Sequence, residues 1–243
     1  MIKGSRPIIS LLKRFNPLAC PACNQPAMTL NGGLCLWCRR ALPRWRHGCP
    51  RCAEPMPIDS LCAHCLHRPP TLTRCHALWL YTAPADQLLR CCKYRQRPEL
   101  AEQLVTAAGQ RCQQWTAPDL LVPIPLHRQR LQERGYNQAQ LACEALAKAA
   151  GRPWQTLLQR DQATPPQAGL TAAQRRRNLR RAFSTCGDVC GLHIVLVDDV
   201  MTTGSTLFAA ARVLTAAGAA RVDGRELART PANRREAGIS ADY

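Results

Sequence analysis

The chain has 243 residues, enough for one mid-sized domain and a smaller one beside it. Aromatic residues make up only 5% of the sequence, so any packed core must be mainly aliphatic. No apolar run of about 18 residues occurs, which excludes a transmembrane helix. The formal net charge is +17, and only four of the 33 basic residues are lysines. Because arginine favours bidentate contacts with phosphate, we expect a polyanionic ligand.

The first 17 residues form a basic leader. Lys13 and Arg14 interrupt its apolar stretch, and no small-residue cleavage site follows, so we do not expect a secretory signal peptide. Cysteines further along the chain, including the neighbours Cys91 and Cys92, are expected to remain free thiols. Free thiols are typical of a reducing compartment, so the sequence predicts a cytoplasmic protein.

Residues 18–68 contain eight of the 15 cysteines, arranged as four Cys-x-x-Cys motifs. Each motif can present two thiolates to one metal, and two tetrahedral zinc sites need eight such ligands. A small domain with so few apolar residues would need the metal in order to fold. Redox dithiols are one alternative reading, and cross-braced pairing of the motifs is another. The predicted ligands of two structural Zn2+ ions are Cys20, Cys23, Cys35, Cys38, Cys49, Cys52, Cys62 and Cys65.

Residues 71–230 are predicted to form a second domain, after a linker at His67–Pro70. Apolar segments that read as strands alternate with segments that read as helices. CHALWLYTAP, which begins at Cys75, and DLLVPIP, which begins at Asp119, both predict buried strands. This alternation is typical of an α/β domain with a mainly parallel sheet flanked by helices.

Two helical regions are predicted between these strands and the C-terminal part of the domain. The first runs over residues 85–109 and is broken near Pro98. The second runs over residues 136–150, with Leu141 and Leu146 facing inward. Residues 164–181 show no sustained periodicity and predict a long loop rich in arginine.

The stretch HIVLVDDVMTTGSTL carries the strongest functional signal. Four apolar residues predict a buried strand, and Leu207–Ala217 predicts a helix that ends at Gly218. Between them, short side chains allow backbone N–H groups and the helix N-terminus to surround a phosphate monoester.

The two carboxylates in this stretch would repel that phosphate. We therefore expect them to accept hydrogen bonds from the two vicinal hydroxyls of a ribose. The predicted site for a ribose 5-phosphate comprises the acids Asp198 and Asp199, followed by Val200, Met201, Thr202, Thr203, Gly204, Ser205 and Thr206.

An apolar strand that ends in two acids also occurs as the Walker B strand of ATPases. Such a protein also needs a Walker A loop with a Gly-Lys-Ser/Thr sequence. None of the four lysines of this chain follows a glycine, so the ATPase interpretation is rejected.

The segment VLVDDVMTTGST resembles the signature of type I phosphoribosyltransferases, which bind phosphoribosyl pyrophosphate (PRPP). In that family the position of Thr202 is often an acid in enzymes that salvage 6-oxopurines. Here it is threonine, which argues against purine salvage by that route. The resemblance implies a type I phosphoribosyltransferase fold, with PRPP and Mg2+ as ligands.

Longer stretches narrow the resemblance. LVPIPLHRQRLQERGYNQAQLACEALA and LLQRDQATPPQAGLTAAQRRRNLRRAF, preceded by the four cysteine motifs, are similar to the ComF (competence protein F) family and its GntX-like relatives. That family joins a double zinc ribbon to a phosphoribosyltransferase domain. It is linked to natural competence and the uptake of single-stranded DNA, so the resemblance also implies DNA and a DNA-translocating helicase as partners.

The resemblance assigns further positions around the pocket. Asn137 and Asn178 have a simpler alternative role, because asparagine often caps a helix or a turn. The loop facing the pyrophosphate would be Pro123, Ile124, Pro125 and Leu126, and the pocket and its hood would contain Lys93, Arg134, Asn137, Arg160, Gln167, Arg175 and Asn178.

The end of the chain departs from the family. After Gly218 the family finishes with a mostly apolar strand, whereas this chain reads ARVDGRELART. A segment that contains Asp223, Gly224, Arg225 and Glu226 makes a poor central strand, so we expect the last strand to be short, at an edge or missing. Residues 231–243 are predicted to be a disordered tail.

Three functional hypotheses follow. The chain is a catalyst that displaces pyrophosphate from ribose C1, a binding module for phosphorylated ribose or single-stranded DNA, or an adaptor that docks through its zinc ribbons. The two intact acids favour PRPP binding, and the acceptor of the phosphoribosyl group cannot be read from the sequence.

Overall fold

The computed structural model describes residues 19–26, 33–109, 111, 117–160 and 182–232. The chain divides into two compact units, Met1–Leu42 and Pro43–Tyr243. The predicted leader, the predicted loop at 164–181 and nearly all of the predicted tail lie outside the described residues.

The two units each begin with a cysteine knuckle of the same geometry. In the first, the Asn24 N–H donates to the Cys20 carbonyl, and in the second the Ala53 N–H donates to the Cys49 carbonyl, both over 2.8 Å. Asn24 and Ala53 each adopt a positive φ, near 59° and 53°, which turns the chain sharply behind the knuckle. A short helix then presents the next pair of cysteines in each unit: α1 is Leu36–Ala41 and α2 is Ala63–His67.

The remainder of the second unit is an α/β domain. Four strands form one fully parallel sheet, which confirms the predicted fold class. The elements in chain order are β1 (Cys75–Leu80), α3 (Ala85–Tyr94), α4 (Glu99–Ala108), β2 (Leu120–Pro123), α5 (Arg128–Arg134), α6 (Gln138–Ala150), β3 (Leu158–Arg160), β4 (Phe183–Thr185), β5 (His193–Met201), α7 (Ser205–Ala216) and β6 (Arg221–Arg229).

The sheet has the strand order β1-β6-β5-β2, and β3 pairs with β4 in a separate antiparallel ribbon. Its core is aliphatic, as the low aromatic content predicts: Leu121, Val122, Leu196 and Val197 are fully buried. These side chains come from the two neighbouring strands β2 and β5, whose continuous apolar runs are typical of strands covered on both faces.

The helices follow the sequence prediction closely. The break at Pro98 separates α3 from α4, and Asn137 caps the N-terminus of α6, where its side chain accepts from the Ala139 N–H over 3.0 Å. On α6, Leu146 is buried as predicted. Leu141 is only half-buried, so the prediction that it faces the core was wrong; Ala142 and Cys143 occupy that face instead. Within the described parts of the chain, none of the helices has the length and apolar content that crossing a membrane requires.

The expectation for the last strand was wrong. β6 has nine residues and lies in the centre of the sheet, between β1 and β5. Several of its charged side chains are tolerated there because they find partners. Asp223 accepts from the Arg74 N–H over 3.0 Å and lies 2.8 Å from the Arg221 guanidinium and 3.0 Å from His193. Burying a polar group costs little free energy when the group is hydrogen-bonded. Strand propensity describes single residue types and does not include such tertiary partners.

Candidate functional site

The eight motif cysteines gather into two clusters. One contains Cys20, Cys23, Cys35 and Cys38, and the other contains Cys49, Cys52, Cys62 and Cys65. Within each cluster the sulfur atoms all lie within 4.8 Å of one another, which suits a tetrahedral Zn2+ with four thiolate ligands. Consecutive motifs therefore share a cluster, and the cross-braced alternative does not apply.

Backbone N–H groups favour the thiolate state that zinc needs. The Cys35 N–H donates to Cys20 Sγ over 3.4 Å, and the Cys38 N–H donates to Cys35 Sγ over the same distance. Burial opposes ionisation of Cys49, yet N–H bonds from Cys62 and neighbouring residues outweigh it and lower the pKa of this thiol to about 7. The donor set thus fits two structural zinc ions.

The second cluster belongs to the core of the α/β unit. Cys49 and Cys65 are almost fully buried and lie in the same hydrophobic cluster as Leu72 and Cys75, at the start of β1. The Cys75 N–H donates to the Pro50 carbonyl over 2.8 Å, which ties the knuckle to the edge strand. The second ribbon is therefore an integral part of this unit.

The predicted phosphate-binding segment, residues 200–206, is called the anion loop below and begins at the end of β5. Both acids fall within the strand, which continues to Met201, and α7 begins only four residues later, at Ser205. Gly204 caps this helix in the left-handed region, with φ near 79°. A Cβ atom there would crowd Met201 Cε and would lie 2.7 Å from Phe208 Cζ, so together with the positive φ this position favours glycine. Thr203 and Ser205 are exposed beside it, and their hydroxyls lie 2.8 Å apart. Val200, Thr202 and Thr206 are half-buried around them.

The two acids have different surroundings. Asp199 is buried, and its Oδ2 atom lies 3.1 Å from the Lys93 ammonium, which is itself buried in α3. Its Oδ1 atom accepts from the Val200 N–H over 2.6 Å. Asp198 is half-buried, and its Oδ1 atom accepts from the Asp199 N–H over 2.9 Å. Asp199 is thus fixed by a buried ion pair, and Asp198 is the more exposed of the two acids.

Burial raises the pKa of Asp198 to about 7, and the neighbouring Asp199 charge adds to the rise; Lys93 and Arg160 oppose it.

A third acid lies beside Asp198 and Asp199. Glu226 on β6 is the register partner of Asp198, is completely buried, and has no hydrogen bond from any described residue to either carboxylate oxygen. Burial, followed by the charges of Asp198 and Asp199, raises the pKa of Glu226 well above its ordinary value. Sequence reasoning did not identify Glu226; the acid in the final strand was its only signal.

The predicted pyrophosphate loop follows β2. Pro123, Ile124 and Pro125 are buried and Leu126 is half-buried. The Ile124 N–H donates to the Val197 carbonyl over 2.9 Å, and its own carbonyl accepts from Asn137 Nδ2, also over 2.9 Å. Asn137 therefore both caps α6 and holds this loop beside the end of β5.

Lys93 and Arg134 line one cavity of about 270 Å³, together with Tyr94 and Tyr136. The Arg134 guanidinium lies 5.2 Å from the centre of the Tyr94 ring and 3.1 Å from Gln138 Oε1. Arg160 ends β3, and its guanidinium lies 5.6 Å from the Phe183 ring centre on the paired strand β4. The three other predicted hood residues, Gln167, Arg175 and Asn178, lie outside the described residues.

Together, the parallel sheet, the anion loop beyond β5 and the two four-cysteine clusters define a double zinc ribbon joined to a phosphoribosyltransferase domain of type I. The double zinc ribbon domain family matches residues 11–66, and the phosphoribosyl transferase domain family matches residues 132–236.

Full-length relatives identify the family. DNA utilization protein YhgH of Salmonella typhimurium is 37% identical over 88% of this chain and 98% of its own length. YhgH of Escherichia coli K12 is 35% identical over the same shares. Competence protein F of Haemophilus influenzae is 29% identical over 90% of this chain and its whole length. The chain belongs to the ComF family, which includes these DNA utilization and competence proteins.

Among solved structures, the allosteric regulatory enzyme of purine biosynthesis is 22% identical over 54% of this chain and 25% of that one, with a TM-score of 0.37.

Proposed function

We propose that this chain binds PRPP together with Mg2+ and transfers its phosphoribosyl group to an acceptor, with release of pyrophosphate. The observation that carries this proposal is the order of groups at one edge of the sheet. β5 ends in two acids, and a glycine-capped loop and the N-terminus of α7 follow at once. The loop after β2 lies beside them, held by Asn137. One edge thus offers acceptors for ribose hydroxyls next to donors for phosphate.

Both acids accept hydrogen bonds from the ribose. Asp198, which is half-buried, accepts from one hydroxyl. Asp199 is held by Lys93 over 3.1 Å, which fixes its carboxylate in place to accept from the other hydroxyl. The exposed hydroxyls of Thr203 and Ser205 and the N–H groups around Gly204 then hold the 5-phosphate.

In the transfer step, the bond between ribose C1 and the pyrophosphate oxygen breaks, and its electron pair leaves with pyrophosphate. The acceptor supplies the electron pair of the new bond to C1. Positive charge builds on the ribose ring, so the protein contributes positioning and charge stabilisation rather than a nucleophile. When bound with PRPP, Mg2+ would supply positive charge that stabilises the leaving pyrophosphate, and the ligand's own oxygens would hold it more than protein side chains would.

Zinc has a structural role in this account, with one ion in each four-cysteine cluster. The free thiols elsewhere, such as the buried Cys92 and Cys143, support a reducing cytoplasmic environment for the protein.

Calorimetric titration tests the proposal. PRPP with Mg2+ should bind more tightly than ribose 5-phosphate, because the pyrophosphate adds charged contacts. Gly204→Val should abolish binding of both ligands, since the added side chain enters the space of Met201 and Phe208. Asp188→Asn, an exposed acid before the start of β5, is the matched control and should bind normally. If the parent protein does not bind PRPP, the proposal is wrong.

A second function, binding of single-stranded DNA beside a translocating helicase, is favoured by a separate cavity. It measures about 340 Å³ and contains none of the loop residues. Its lining includes four arginines, two aromatic rings and one acid, Asp59. The arginines are Arg46, Arg74, Arg111 and Arg225, and the rings belong to Trp45 and His76. Burial, followed by the charges of Arg225 and Arg74, lowers the pKa of His76 to about 4, as expected in a cluster of positive charge. Cationic clefts beside aromatic rings suit nucleic acid strands.

Filter binding of an oligonucleotide at several salt concentrations tests this second function. The slope of log affinity against log salt should be about 0.7 per phosphate contacted. Arg74→Ala and Arg46→Ala should each lower the slope, whereas the exposed Arg212→Ala on α7 should leave it unchanged. Affinity that is independent of salt would contradict this function.

A further inference from the structure

Arg229, the last residue of β6, makes an unusual number of contacts for a single side chain. It is 1% exposed, yet its guanidinium donates to five acceptors. A guanidinium has five N–H donors in a rigid plane, so it can fix several groups relative to one another. The acceptors are the Cys52 carbonyl (2.9 Å), the Met201 carbonyl (3.0 Å), the Thr202 carbonyl, the Thr230 carbonyl (2.9 Å) and Glu54 Oε2 (2.7 Å).

Two of these acceptors belong to the anion loop. In a trans peptide the carbonyl and the following N–H point in opposite directions. When Arg229 holds the Met201 carbonyl, it therefore turns the Thr202 N–H away from itself, and the Thr202 carbonyl does the same for the Thr203 N–H. Arg229 thus sets the orientation of the first N–H groups of the loop together with the Thr230 N–H, which also donates to the Met201 carbonyl over 3.0 Å.

Two other acceptors belong to the second ribbon. Cys52 is one of the four cysteines of the second cluster, and Glu54 follows it by two residues. Glu54 uses its other oxygen to accept from the Ala232 N–H over 3.0 Å, so it also fastens the chain beyond β6. One guanidinium and one carboxylate therefore join the backbone of a metal knuckle to the backbone of the anion loop.

We propose that Arg229 is a positioning residue that orients the loop and makes its order depend on an intact second four-cysteine cluster. The inference deepens the proposed function, since the loop is the part that would hold the 5-phosphate. Removing the metal from the second cluster would release the Cys52 carbonyl and Glu54, and the loop would lose its anchor. Removing the metal from the first cluster should not have this effect, because all five acceptors of Arg229 belong to the same compact unit as Arg229 itself, whereas the first cluster belongs to the other unit.

Hydrogen exchange can test this without any ligand. The Phe208 N–H donates to the Gly204 carbonyl over 2.9 Å, so its protection reports whether the start of α7 and the end of the loop are ordered. Arg229→Met should speed exchange at Phe208 by about tenfold or more, because several charged hydrogen bonds are lost. Arg221→Met, at the other end of the same strand, is the matched control and should leave exchange at Phe208 unchanged.

Two further variants keep the test decisive if Arg229→Met fails to fold. Glu54→Ala removes one partner of the guanidinium and should speed exchange at Phe208 by a smaller factor. Cys62→Ser, which breaks the second cluster, should speed it as well, whereas Cys35→Ser, which breaks the first cluster, should not.

Zinc release gives the reverse measurement. Zinc release is followed with a chromogenic chelator. Glu54→Ala should release one of its two zinc ions faster than the parent does, and the other at the parent's rate. The reason is that coupling between the loop and the second cluster must act in both directions. Equal exchange at Phe208 in the parent, Glu54→Ala and Cys62→Ser proteins would overturn the inference. None of these measurements uses PRPP, so a protein that shows the coupling but does not bind PRPP would refute the proposed function alone.

Discussion

Replacing Asp198 with asparagine should stabilise the protein without ligand. Burial and the neighbouring Asp199 charge raise the pKa of Asp198 from 3.8 to about 7, so the folded protein disfavours the charged form of this group. Folding therefore costs more as the pH rises from 3.8 towards 7, and the cost is constant above that range. Asparagine keeps the size of the side chain but has no charge to bury.

The size of the stabilisation expected for Asp198→Asn follows from the raised pKa of Asp198. Roughly three pKa units at about 1.4 kcal/mol each set a ceiling of about 4 kcal/mol, and partial solvent access to Asp198 reduces the real gain to about 1–2 kcal/mol. Between about pH 6 and about pH 8 the parent should lose up to about 1 kcal/mol that the variant does not lose.

Urea unfolding of the parent and of Asp198→Asn at these two pH values measures the effect. The variant should have the higher midpoint at both, with the larger advantage at the higher pH. Asp188→Asn, on an exposed acid, corrects for changes in net charge. A variant less stable than the parent at the higher pH would refute the reasoning, because the carboxylate would then be stabilising.

Three further predictions concern neighbouring features. Asp199→Asn should destabilise the fold by about 3–5 kcal/mol in the same urea assay, since it removes the carboxylate charge that lies 3.1 Å from the buried Lys93 ammonium. Metal analysis should find two zinc ions in the parent and one each in Cys35→Ser and Cys62→Ser, but only Cys62→Ser should lower the thermal midpoint of the α/β unit, whose core contains its cluster. Glu226→Gln should also stabilise the protein above neutral pH, because the buried carboxyl lies beside Asp198, and thermal unfolding at two pH values would show it.

The sequence predicts most of the sheet because its strands are apolar and continuous. The apolar runs at Ile194–Val197 and Leu120–Pro123 both predict buried strands, and the structure pairs these two strands in parallel. The cysteine motifs predict their metal sites equally well, since their spacing is local chemistry.

β6 could not be predicted in this way. Its charged residues disfavour a central strand locally, and they are accommodated only by partners distant in the sequence, such as Arg74 for Asp223 and Cys52 for Arg229. Glu226, which lies beside Asp198, and Arg229, which contacts the anion loop, were missed for the same reason: their roles depend on tertiary contacts and not on a motif. Asn137 was predicted near the pocket by resemblance, and the structure gives it the capping role that the alternative foresaw.

The most direct test of the central claim is calorimetry with the Asp198→Asn/Asp199→Asn double variant and two ligands. PRPP should bind the variant more weakly by about 1.5–3 kcal/mol for each charged hydrogen bond lost. The second ligand is an analogue of PRPP that contains 2,3-dideoxyribose. It lacks the two hydroxyls that would donate to the acids, so its affinity for the variant and for the parent should be equal. If the double variant, shown to be folded, binds PRPP as tightly as the parent does, the paired acids do not read the ribose and the account is contradicted.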